Sequence, residues 1–119
     1  MEKVDLAEKL ARIPDHWNPR VVAELNGQQV KLVKLLGPFT WHHHEAEDEL
    51  FLVVRGRLRL ELLDRAVELD PGQLFVVPRG VEHRPVADEE VHVLLFEPAG
   101  TVNTGNVREA RTRDALERI

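Results

Sequence analysis

The sequence predicts an all-β barrel or two-sheet sandwich folded as one domain. Three observations carry this. Short apolar runs of strand length recur at close spacing, Gly or Pro closes nearly every run, and 119 residues are enough for one modest core and no more.

The elements follow in order. Leu6, Leu10 and Ile13 recur near helical spacing with charges between them, which predicts a short amphipathic helix over 4–12 stopped by Pro14. Residues 15–20 (DHWNPR) form a connector. A strand over 21–25 ends at the Asn26-Gly27 turn signal. A second strand, in which Val30, Leu32 and Lys34 alternate with Lys31, Val33 and Leu35, runs to Gly37-Pro38. Residues 50–54 are an apolar run closed by Gly56. In RLRLELL, Leu58, Leu60 and Leu62 alternate with Arg57, Arg59 and Glu61, the pattern of a strand with one wet face. Asp64-Arg65 makes a tight turn, and Val67 and Leu69 continue the alternation to Asp70-Pro71-Gly72. Residues 74–77 form the next strand, broken by Pro78-Arg79-Gly80, and 91–96 form the last. The barrel core is expected over about 21–98, with the helix and connector in 1–20. The charged tail, 103–119, is expected to fray or form a short helix, with Leu116 and Ile119 able to dock.

Composition narrows the function. The net charge of -5 and pI near 5.7 argue against nucleic acid as partner. There is no cysteine, so disulfides, thiolate metal sites and cysteine nucleophiles are excluded; there is no tyrosine either. The apolar runs are far too short to span a bilayer as helices. The N-terminal residues are charged throughout, with no apolar stretch of the kind that directs export, so a cytoplasmic protein is expected.

The densest chemical signal is WHHHEAEDE, residues 41–49. In an extended segment His42 and His44 point to one face and His43 to the other. Glu49 opens the next apolar strand on the face of Phe51 and Val53. A carboxylate there needs a partner, because an unpaired buried charge is very costly, and a metal ion supplies one. His83 follows the PRGVEH turn. His42, His44, Glu49 and His83 are therefore the expected metal ligands. By parity Trp41 and His43 face away. Glu47 and Asp48 are expected in a solvated loop. Phe51, Val53, Phe75 and Val77 are candidates to line an apolar cavity, Arg79 and Arg84 to meet an anionic substrate. His92 can face either way.

The two segments resemble the paired motifs of the cupin superfamily. Gly37, His42, His44, Glu49 and Gly56 follow the first motif, with a Gly-to-His gap one residue short. Gly72, Pro78, Gly80 and His83 follow the second, with Ala87 where the family has Asn. The resemblance implies a small single-domain cupin: a double-stranded β-helix (jelly-roll) barrel, with three His and one Glu turned inward onto one divalent transition metal, Fe, Mn, Zn, Ni or Cu. Three imidazoles and a carboxylate independently suit such borderline metals.

Cupin barrels host many activities, so the fold alone does not deliver the function. The first expectation is a metal-dependent, dioxygenase-like enzyme acting on a small organic substrate, with Glu49 doubling as a general base. The second is a non-catalytic module that binds a small ligand or metal. The third is a sugar-phosphate isomerase resembling mannose-6-phosphate isomerase. The presence of Glu49 and the lack of Cys and Tyr speak against the thiol dioxygenase branch. A homodimer is expected, with the segment through Leu25 facing the partner.

Overall fold

The computed structural model describes residues 2–119. The helix is shorter than the spacing predicts: α1 (Leu6–Ala11), N-capped by the Asp5 side chain, which accepts from the Glu8 N–H at 3.2 Å. Seven strands follow: β1 (Arg20–Leu25), β2 (Gln28–Pro38), β3 (Glu49–Arg55), β4 (Leu58–Leu62), β5 (Ala66–Leu69), β6 (Leu74–Val77) and β7 (His83–Pro98). All pairings between them are antiparallel, in the order β1-β2-β7-β3-β6, with β4 bridging β5 and β7.

β7 organises the barrel. Its first residues pair with β4 and with Gly37 and Pro38 at the end of β2; from Val91 onward it lies between β2 and β3. The register with β2 jumps between Leu35↔Val91 and Gly37↔Ala87, leaving Asp88, Glu89 and Glu90 exposed in a bulge. Such a bulge bends a strand and lets it turn a corner between sheets. The strand expected at 91–96 is thus only the second half of a 16-residue element. Gly56 sits against this corner with φ +87°; a Cβ there would lie 2.9 Å from the Glu90 carbonyl oxygen. Only glycine meets both demands.

Alternation sorts the side chains into two clusters. Val33 and Leu35, Phe51 and Val53, Leu58 and Leu60, and Val91, Val93 and Leu95 fill the interior. On the outside, Leu10 and Ile13 cover Leu32, joined by Leu6, Val54, Leu94 and Ile119. The helix is thus held by packing of its apolar stripe; six residues are far too few to be stable alone.

The tail is neither frayed nor helical. Ile119 N–H donates to the Val21 carbonyl and Val21 N–H to the Glu117 carbonyl, so residues 117–119 cover the free edge of β1. Asn103 and Thr104 tie the tail to itself through Arg111, Arg113 and Thr112. No single residue spacing announces these links, because each joins positions that are remote or irregular in sequence.

Candidate metal centre

The segment carrying His42 and His44 is not part of a long strand ladder. It is fixed by a short antiparallel bridge: His42 N–H donates to the His83 carbonyl at 3.1 Å, and His83 N–H to the His42 carbonyl at 2.9 Å. The Gly80 N–H then donates to the His44 carbonyl at 2.8 Å. These bonds hold the histidine run against the turn that precedes His83. Parity survives: His42 and His44 are buried while His43 between them is partly exposed. Glu49 enters from the start of β3, opposite Val77 of β6.

All four expected ligands are buried, and one donor atom from each lies within 4.8 Å of the others. Metal–donor bonds of about 2.0–2.3 Å put opposite donors up to roughly 4.6 Å apart, so the quartet needs little adjustment to enclose one ion. The Nδ1 atoms of His42 and His83 each lie 2.9 Å from a backbone carbonyl, of Thr40 and Val81. A carbonyl only accepts, so both Nδ1 atoms carry the proton and both Nε2 atoms present a lone pair. Backbone bonds of this kind orient imidazoles for metal binding.

Protein contacts leave the cluster unsatisfied. Both ring nitrogens of His44, Oε1 of Glu49 and Nε2 of His83 are buried with no hydrogen-bond partner among the described residues. Glu49 Oε1 lies 3.4 Å from His44 Nε2 and 3.3 Å from His83 Nε2, too poorly aligned to satisfy them. Leaving such groups unpaired costs about 1–3 kcal/mol each, and a cation among them removes that cost. The donor set therefore fits a divalent metal.

Charge is set to match. Burial, reinforced by the neighbouring His83, brings His42 down to about 4 and keeps it neutral. Burial alone would push the Glu49 carboxyl up, but the facing His44 and His83 rings and the Glu97 carboxyl outweigh it; Glu49 is held well below the usual range and stays ionised. Glu97 goes the opposite way, raised well above its usual value by burial and by the charge on Glu49.

His42 and Glu49 of the quartet open on a cavity walled by Val33, Leu35, Phe39, Phe51 and Leu95. Trp17 stacks on Phe39 at 4.5 Å, and the Arg111 guanidinium lies over both rings. Phe51 lines this cavity. Val53 and Val77 belong to the interior core instead, and Phe75 packs against that core, half-buried. Arg79 lies away from it on the surface turn, paired with Asp48 through both side chain and backbone. Arg84 is engaged by Glu61 and rests over the Trp41 ring. His92 faces outward onto Glu90. The sequence reading missed Trp17, Phe39, Lys31, Glu97 and Asn103 as lining residues. Lys31 and Glu97 carried a signal: each continues the inward parity of an apolar strand, Lys31 with Val33 and Leu35, Glu97 with Val93 and Leu95.

Comparison with known proteins agrees with the barrel fold. The Cupin_2 family, described as a cupin domain, matches residues 35–97. Among solved structures, a cupin-2 domain protein from Shewanella frigidimarina is 42% identical, with TM-score 0.79, over 80% of this chain and 93% of that one. Protein NMB1881 from Neisseria meningitidis is 32% identical, TM-score 0.75, over 82% and 100%. KdgF from a Halomonas species is 33% identical, TM-score 0.59, over 67% and 78%. The uncharacterized protein YdbB of Bacillus subtilis is 34% identical over 64 residues, a match spanning 57% of its length.

Proposed function

This chain belongs to the Cupin_2 family, and we propose that it is a metal-dependent enzyme acting on a small organic substrate inside its barrel. The observation that carries the reading is the joining of two things: four buried donors that the protein leaves unsatisfied, and a walled cavity that reaches them. Fe, Mn, Zn, Ni and Cu all suit three imidazoles and a carboxylate. Such an ion, when bound, supplies Lewis-acid polarisation or oxygen activation.

The protein's own residues do the rest. His42 and His83 are locked by their carbonyl partners, so the donor geometry is set before any ligand arrives. Phe39, Phe51, Val33 and Leu95 wall the space beside Glu49, whose carboxylate is held ionised by the facing His44 and His83 rings and is therefore in the form that can accept a proton. Oxygen-dependent cleavage is the reaction class we favour. Elemental analysis of the purified protein, followed by oxygen-consumption assays on the metal-loaded form against a panel of small organic acids and enols, tests it. One bound ion with oxygen uptake supports the enzyme; one bound ion with no turnover on any compound favours a non-catalytic binding module.

We also propose a cytoplasmic homodimer. The described helix is too short to cross a membrane. The tail covers the β1 edge, so the N-terminal segment is a poor partner face. The other end of the strand order, β6, has Leu74 and Val76 at 55% and 44% exposed, beside Leu52 and Leu50 on β3. An apolar edge of this kind favours association with a second copy. Light scattering at micromolar concentration should give about twice the monomer mass, and Leu74→Lys should return it to one.

A further inference from the structure

Two charged side chains lie inside the barrel without a part in the metal centre. Lys31 of β2 and Glu97 of β7 are each 2% exposed, and Lys31 Nζ donates to Glu97 Oε2 at 3.3 Å. Both line the same cavity as His42 and Glu49. Glu97 lines this cavity beside Glu49, where burial and the Glu49 charge raise its carboxyl, so the pair adjoins the metal ligands.

Stability does not account for the pair. A well-packed apolar pair of similar volume is usually as stable as a buried ion pair or more so. Nor is the ammonium used up. It has three N–H donors, and among the described residues it makes one long hydrogen bond. The arginines nearest the site are committed elsewhere, Arg79 to Asp48, Arg84 to Glu61 and Arg111 to Glu109. Lys31 is thus the cation that faces the cavity interior.

We propose that Lys31 anchors the carboxylate of the ligand, and that the substrates of this barrel are small carboxylic acids held between Lys31 and the His42–His44–Glu49–His83 centre. The inference rests on the reading that this centre holds a divalent cation. Charge supports it whatever the state of Glu97. A 2+ ion and Lys31, set against Glu49 and a fully ionised Glu97, still leave a net positive cavity, which attracts an anion strongly behind low-dielectric walls. Val33, Phe39, Phe51 and Leu95 then meet the hydrocarbon part of the acid. A hydrocarbon would leave the free ammonium protons without acceptors, and a neutral sugar would offer hydroxyl oxygens but no charge to match the ammonium.

The test is a binding titration, independent of turnover. The protein is loaded with Co(II), whose visible absorption responds to its ligands, and titrated with acetate, pyruvate and succinate, and with methyl pyruvate as an uncharged counterpart. Wild type should take up one cobalt and bind at least one acid saturably. Methyl pyruvate should bind more weakly than pyruvate by about 10–100-fold, the worth of a hydrogen bond to a charged group. Lys31→Met should keep cobalt and lose acid affinity by a similar factor. The double variant Lys31→Met/Glu97→Gln should do the same, and it leaves no lone carboxylate to disturb folding. Cobalt uptake with no response to any acid, equal affinity for pyruvate and its ester, or undiminished acid binding by both variants overturns the inference and leaves the metal reading standing. A wild-type protein that takes up no cobalt overturns the metal reading, and this inference with it.

Discussion

The run of three histidines places two His–carboxylate clusters back to back, one inside the barrel wall and one outside. Inside, His42 and His44 join His83 and Glu49, all buried, with four atoms lacking partners. Outside, His43 lies between Glu82 on Nδ1 and Glu45 on Nε2, each at 2.5 Å, and is partly open to water. The residue types are the same and the chemistry is opposite. Burial holds His42 neutral, at about 4. The Glu82 and Glu45 hydrogen bonds raise His43 and favour its charged form. Three donors also meet on the outer face, yet each is already satisfied by its neighbour or by solvent. Unmet bonding capacity in a dry place, rather than histidine content, marks the metal centre.

Single substitutions on either side of the wall break the comparison most sharply. His44→Ala should reduce bound metal from about one per chain to a small fraction, since it removes one of three imidazoles from a closed set. His43→Ala should leave metal content near wild type. Equal loss in both, by elemental analysis after dialysis, would mean that the parity of this segment does not define the centre. Glu49→Gln keeps the shape and removes the charge. If Glu49 is a ligand only, any turnover should track occupancy. If it also moves a proton, the rate per bound metal should fall a further 10²–10⁴-fold, roughly the worth of a positioned acid–base group.

Parity explains how much of this was readable. The spacing of His42, His44, Glu49 and His83 needs only extended backbone and two turns, and Asn26-Gly27, Asp70-Pro71-Gly72 and Pro78-Arg79-Gly80 all terminate strands where their chemistry says they should. Such signals are local. The first half of β7 was not readable in this way: Pro85 and the Asp88-Glu89-Glu90 bulge interrupt the alternation, and its pairing with β4 is decided by a partner more than twenty residues away. The tail was legible only in part: Ile119 docks on the body as its apolar side chain suggests, while the frayed or helical alternative fails for a related reason. Its order comes from single contacts such as Ile119 with Val21 and Asn106 with the His43 backbone, and no periodicity encodes them. Lys31 and Glu97 were overlooked because a charge within an alternating strand reads as a solvent-facing residue unless the parity of its neighbours is followed through.

Removing metal should produce the next largest effect. A ligand that binds only the folded state stabilises it by RT ln(1 + [L]/Kd), about 2.7 kcal/mol at a hundredfold excess over Kd. For a domain of this size that corresponds to roughly 10 °C in Tm. EDTA at neutral pH should lower the melting temperature of wild type by this order, and of His43→Ala equally. His44→Ala should be insensitive to the chelator. A wild-type melting curve unmoved by EDTA after confirmed metal loading would separate the inner cluster from folding stability.

The smallest expected effect lies where the tail crosses the mouth of the barrel. Glu109 accepts from the Thr40 hydroxyl at 2.5 Å and from the Arg111 guanidinium at 2.8 and 2.9 Å, while Arg111 also donates to the Pro38 carbonyl and covers Phe39. The Arg111 hydrogen bonds, more than the opposing burial, bring Glu109 from 4.5 down to about 2. Its carboxylate is thus favoured more in the folded state than in the unfolded one. The resulting stability is complete above the unfolded value near 4.5 and is lost as pH falls through about 2. The group is largely screened from solvent, and after discounting for its residual exposure the contribution is of order 1–2 kcal/mol. Glu109→Gln should therefore lower stability at pH 7 by about that much, measured by urea denaturation of the EDTA-treated protein. The gap between variant and wild type should narrow steadily from pH 5 to pH 2. A gap that stays constant across that range would mean that Glu109 acts through packing and neutral hydrogen bonds, and that the tail is held at the mouth by the Arg111–Phe39 contact instead of by charge.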